Sequence, residues 1–150
     1  MSVNDFPIGL FLNLKDFESP DTHEVKIDRD LVDKVRRLQD ILGVGVTIES
    51  GYRTPEHNES LGGDKKSLHL QGRAVDISCD KVNLLLLTVA AVLAGFSTVI
   101  AYENNNSIHA DLDRDDRIVV PRKWSVTLKL AFPDKANFIY GYEELLLDLC

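Results

Sequence analysis

From Asn83 to Tyr102 the chain carries no charged residue, and this run limits the possible folds more than any other. It is close to the length of about 20 apolar residues that a helix needs to cross a bilayer. Gly95 divides it. Leu84 to Ala94 reads as a buried helix, Gly95 as its C-cap, and Phe96 to Tyr102 as a core strand richer in β-formers. A helix packed on a strand places the chain among water-facing α+β domains, with no membrane span. The chain has 150 residues, 44% hydrophobic and 27% charged, enough for one domain, 1–150, with a substantial core.

The rest of the chain fits that picture. Asp28 can N-cap a helix that ends near Gly43, with Leu31, Val32, Val35, Leu38 and Leu42 at helical spacing and Arg36, Arg37 and Asp40 outside. Val44 to Glu49 reads as a strand, and Thr54-Pro55-Glu56 as a helix start. Asn104 to Asn106 is a turn, and Ile108 to Leu112 and Ile118 to Val120 are short strands. A further strand is expected at Ser125 to Leu130, before an apolar end from Tyr142 to Leu149. Together these predict an α+β fold, a small antiparallel sheet flanked by helices.

The net charge is -7 with dispersed Lys and Arg residues, so no basic stripe points to nucleic acid. Cys79 and Cys150 form no Cys-x-x-Cys pattern and read as free thiols in a reduced compartment. The N-terminus lacks a basic region followed by an apolar run and a cleavage site, so no signal peptide is expected and the chain reads as cytoplasmic when synthesised.

The chemistry is concentrated in the string His69-Leu-Gln-Gly-Arg-Ala-Val-Asp76. Imidazole nitrogen and carboxylate oxygen are both ligands that Zn²⁺ accepts in tetrahedral geometry. Gly72 lets the backbone turn sharply between them, and Ala-Val-Asp-Ile-Ser reads as a strand that fixes Asp76. His109, in the alternating segment Ser-Ile-His-Ala-Asp-Leu, is the best third ligand. Two histidines, one carboxylate and an open fourth position describe a catalytic rather than a structural zinc site.

The segments Ser50-Gly51-Tyr52-Arg53-Thr54-Pro55-Glu56-His57-Asn58, Gly62-Gly63 and Ser67-Leu68-His69-Leu70-Gln71-Gly72-Arg73-Ala74-Val75-Asp76-Ile77 occur in this order. In them the chain resembles the zinc D-alanyl-D-alanine carboxypeptidases, and more narrowly the short cell-wall peptidases of that superfamily common in phages and prophages. The hedgehog signalling domain shares the scaffold. The resemblance runs from about Phe17 to about Trp124. It implies a hedgehog/DD-peptidase-like fold and zinc held by His69, Asp76 and His109, in agreement with the reading from the residues. It also implies that Arg53 holds the substrate and polarises the scissile carbonyl, against the alternative of an arginine paired with a structural carboxylate. A general base is needed. Glu103, six residues before His109 as in the hedgehog arrangement, is preferred. Asp111 is its rival, since positions 109 and 111 share a strand face; its other reading is a carboxylate that orients a ligand. Ser107 stands where hedgehog has a histidine. His57 is expected to brace its loop, His23 to be exposed, and Arg73 to form a surface ion pair.

These readings predict a zinc peptidase acting on peptidoglycan stem peptides, as a carboxypeptidase or an endopeptidase, phage- or prophage-encoded and reaching the wall after release or within a virion. The alternative is a non-catalytic zinc domain that binds a protein or cell-wall peptide, or a structural domain of a phage particle.

Overall fold

A computed structural model of the chain describes residues 3–113 and 116–141. A two-stranded hairpin, β1 (Pro7–Gly9) and β2 (Leu12–Asn13), leads through a 3-10 turn at Leu14–Phe17 to helix α1 (Arg29–Leu42). Strand β3 (Thr47–Ser50), helix α2 (Pro55–Ser60) and a 3-10 turn at Leu68–Gln71 follow, then β4 (Ala74–Ser78). Helix α3 (Leu84–Ala94) precedes the hairpin β5 (Thr98–Tyr102) and β6 (Ser107–Asp111). After β7 (Arg117–Val120) come a 3-10 turn at Arg122–Trp124, helix α4 (Ser125–Ala131) and β8 (Phe138–Tyr140).

Six strands form the main sheet in the order β3-β4-β6-β5-β7-β8. Its centre is antiparallel, as β3 pairs β4, β4 pairs β6, and β6 pairs β5 in that sense. β7 and β8 add in parallel at the β5 edge. The fold is α+β, as the sequence predicts.

Strand side chains alternate between two faces. One face presents Val75, Ile77, Val99, Ala101, Ile108, Ala110, Ile118 and Val120, all packed in one core with Leu31, Val35 and Leu38 of α1 and Leu87, Ala90, Ala91 and Ala94 of α3. The helices therefore cover one face. The opposite face of β4 and β6 presents Asp76, His109 and Asp111, so the core layer and the polar layer share the same strands.

The helix boundaries follow their caps. The Asp28 side chain accepts from the Asp30 amide at the start of α1, and Gly43 closes the helix in the left-handed conformation. Thr54 caps α2 with Pro55 in its first turn. The uncharged run resolves into α3, ended by Gly95 at φ 99°, and β5. No helix among the described residues is long and apolar enough to cross a membrane.

Two expectations change. The third strand begins at Thr47 rather than Val44. The strand expected over Ser125 to Leu130 is helix α4. Its alternating pattern reflects no buried strand face: Leu128 is buried while Val126 and Leu130 are largely exposed. The 3-10 turn before it delivers Ser125 already in helical conformation. The apolar end from Tyr142 lies outside the described residues, as does Cys150; Cys79 is a buried free thiol.

Candidate metal centre

The turn from His69 to Asp76 is set by Gly72. It closes the 3-10 turn in the left-handed conformation, at φ 67°, and its carbonyl accepts from the Asp28 amide at 2.8 Å. A Cβ there would stand 2.2 Å from the Lys26 carbonyl oxygen, so only glycine lets the loop lie against that backbone. Arg73 fastens the same corner, pairing with Asp28 and donating to the Leu112 carbonyl at 2.9 Å. Beyond it, β4 places Asp76 directly opposite His109 of β6.

The structure brings together His69, Asp76 and His109, with one potential ligand atom of each within 4.8 Å of the others. The His69 Nδ1 lies 2.7 Å from the Gly51 carbonyl oxygen. A carbonyl can only accept, so Nδ1 carries the proton and Nε2 keeps its lone pair. That Nε2 is buried and has no hydrogen-bond partner. The His109 Nε2 lies 2.7 Å from Asp111 Oδ2, so Nε2 carries the proton and Nδ1 keeps its lone pair, 3.1 Å from Asp76 Oδ1. The His69 Nε2 stands 3.4 Å from that same oxygen, an ion-pair separation without a hydrogen bond.

This arrangement fits a zinc ion. Ligands about 2.0 Å from a tetrahedral zinc stand about 3.3 Å from one another, close to the 3.1 and 3.4 Å observed. Lone pairs of two imidazoles converge on a carboxylate oxygen, which is unfavourable unless a cation or proton lies between them. Burial opposes ionisation of Asp76, but in the metal-free protein its attraction to the two histidines, with a proton between imidazole and carboxylate, outweighs burial and holds its pKa below the ordinary carboxylate range. Both histidine side chains are almost wholly buried, whereas that of Asp76 is 24% exposed. The group therefore opens towards solvent on the Asp76 side.

Arg53 is also at the centre. It is 6% exposed, and its guanidinium donates to Asp76 Oδ2 at 3.0 Å, to Ser50 Oγ at 3.0 Å and to Asn58 Oδ1 at 3.3 Å. These contacts match the carboxylate pairing weighed against a substrate-holding role, although the carboxylate is a candidate metal ligand. Asp111 is 3% exposed and also accepts from the Asp113 amide at 2.9 Å. Its contacts are those of a group that fixes His109.

Glu103 stands apart from the three. It lies in the turn between β5 and β6, its side chain is 40% exposed, and it pairs with Lys123 Nζ at 2.5 Å. It lines a surface pocket with the first turn of α3, Lys123 and Trp124, and none of the three candidate ligands lines that pocket. His57 sits in α2, and His23 is an exposed partner of Glu18. Sequence reasoning missed Asn58, Ser50 and the Gly51 carbonyl. A buried Asn between Arg53 and Gly63 leaves a faint trace in the spacing, but a backbone carbonyl leaves none.

A profile of the Peptidase M15 family matches residues 10–111, a span that holds all three candidate ligands. The peptidoglycan L,D-endopeptidase MepK of Escherichia coli K12 is 34% identical over 92 residues, covering 57% of this chain and 50% of the relative. The MepK proteins of Escherichia coli O157:H7 and Shigella flexneri match to the same extent. The chain spans about half the length of the curated relatives it matches. With two thirds of its length matched by the family profile, the chain belongs to the Peptidase M15 family.

Proposed function

We propose that the chain is a zinc-dependent peptidase that hydrolyses peptide bonds in peptidoglycan stem peptides. The observation that carries this reading is the convergence of His69 Nε2, His109 Nδ1 and Asp76 Oδ1, with the histidine tautomers fixed from behind by Gly51 and Asp111. The name of the MepK relatives supports the substrate class, and favours the endopeptidase form over the carboxypeptidase form.

His69, Asp76 and His109 would hold the ion. Bound there, zinc supplies a Lewis acid for the scissile carbonyl and lowers the pKa of its water to about 7. Asp111 accepts the His109 Nε2 proton, which keeps Nδ1 aimed at the centre and raises its basicity. Arg53 holds Asp76 Oδ2, leaving Oδ1 for the ion, and brings a fixed positive charge to the place where negative charge develops in amide hydrolysis. Asp111 is committed to His109, and Glu103 pairs with Lys123 in a pocket beside the first turn of α3, which packs on the opposite face of the sheet, so this reading gives the proton transfer to neither.

Purified muropeptides digested with the zinc-loaded protein, with products identified by mass, test this reading. Fragments from internal stem cleavage are expected. Loss of a terminal residue alone would assign a carboxypeptidase. No product from protein shown to hold zinc would replace the enzyme with a binding module.

A further inference from the structure

Asp76 has two oxygens but only Oδ1 faces the histidines; Oδ2 is held by Arg53. A carboxylate left free to rotate could offer both oxygens to an ion and fill the open position. What fixes Asp76 is therefore what fixes Arg53, whose long side chain has many rotamers.

Asn58 supplies that constraint. It is 3% exposed on α2, and its Oδ1 accepts from Arg53 Nη1. Its Nδ2 donates to the Asp64 carbonyl at 2.9 Å, and its backbone carbonyl accepts from the Gly63 amide at 2.9 Å. Gly63 makes room for it, since a Cβ on Gly63 would stand 2.1 Å from Asn58 Oδ1. A buried chain of contacts thus runs from the Gly63 loop through Asn58 and Arg53 to the carboxylate at the centre. Asn suits this place because it accepts from Arg53 without charge, so it does not compete electrostatically with Asp76 for the guanidinium.

We propose that Asn58 is a positioning residue for the metal centre: through Arg53 it holds Asp76 to one oxygen facing the histidines, and Gly63 is side-chain-free to seat it. This inference rests on the zinc reading of His69, Asp76 and His109.

The test is a double-mutant cycle read by zinc affinity, using chelator competition, beside thermal unfolding of the metal-free proteins. Asn58→Ala is expected to weaken zinc binding by roughly 10–100-fold, the usual range for outer partners of a ligand. In an Arg53→Lys background the same change should cost little more, because its route to the metal is already cut. Asn58→Asp keeps the shape and the acceptor for Arg53 but loses the donor to Asp64. Its charge competes with Asp76 for the guanidinium, so it should bind zinc no more tightly than Asn58→Ala. If Asn58→Ala does not fold, Asn58→Ser takes its place in the cycle. Equal losses in both Arg53 backgrounds would overturn the proposal, as would Asn58→Asp binding zinc as tightly as wild type. Wild-type protein that binds no zinc would overturn the zinc reading and this inference together. Zinc-binding wild type with an additive cycle would overturn this inference alone.

Discussion

Replacing Gly72 by alanine should damage the centre without touching a ligand. At φ 67° a residue with a Cβ pays about 1–2 kcal/mol relative to right-handed backbone. The new Cβ would also lie 2.2 Å from the Lys26 carbonyl oxygen and 2.5 Å from its carbon. Ordinary contact for such atoms is about 3.5–4.0 Å, so one backbone must retreat by more than an ångström. That movement breaks the 2.8 Å hydrogen bond from the Asp28 amide to the Gly72 carbonyl, worth about 1 kcal/mol. Together these amount to about 2–3 kcal/mol. For a domain of this size each kcal/mol lowers Tm by about 2–4 °C, so Gly72→Ala should melt about 4–12 °C below wild type. Zinc affinity should fall with it, because the turn sets His69 against Asp76. Scanning calorimetry of the metal-free protein and chelator competition measure the two effects. A Tm within about 2 °C of wild type, with unchanged zinc affinity, would refute the claim that this backbone contact positions the ligands.

Asp111→Asn should weaken zinc binding by roughly 10–100-fold in chelator competition while the metal-free protein stays folded; unaltered affinity would show that Asp111 does not orient His109. Glu103→Gln should keep zinc and leave turnover of a stem peptide at saturating zinc little changed, because Glu103 sits with Lys123 beside α3 and not at the centre; a loss of about 10²–10⁴-fold would make it the proton shuttle. The acid response of the metal-free protein follows from Asp76. A carboxyl whose pKa is lowered on folding contributes stability above its unfolded value, about 3.9, and loses that contribution as pH falls through the folded value. The advantage of wild type over Asp76→Asn in urea unfolding should therefore shrink below about pH 4. An advantage unchanged from about pH 5 to about pH 2 would contradict the coupling of Asp76 to the histidines.

The grouping of His69, Asp76 and His109 was legible from one turn and two strands with clear boundaries. Gly72 announced the turn, and alternation in Ala74–Ser78 and Ser107–Asp111 put Asp76 and His109 on the polar face of two strands. Helix α1 was legible through its Asp28 and Gly43 caps, and α3 through its apolar run and Gly95. Helix α4 was misread because Val126, Leu128 and Leu130 alternate like a strand, while the structure buries only Leu128. The parallel addition of β7 and β8 depends on long-range pairing that no local pattern encodes. The partners of Arg53 were hidden for the same reason: Ser50, Asn58 and Asp76 converge only once β3, α2 and β4 have assembled.

The most direct test of the centre is metal content. Wild-type protein, loaded with zinc and dialysed, should hold about one zinc per chain by elemental analysis, the stoichiometry of a mononuclear site. His69→Ala and His109→Ala, each folded by circular dichroism, should hold none. Full zinc retention in either variant would contradict the assignment of His69, Asp76 and His109 as the ligands.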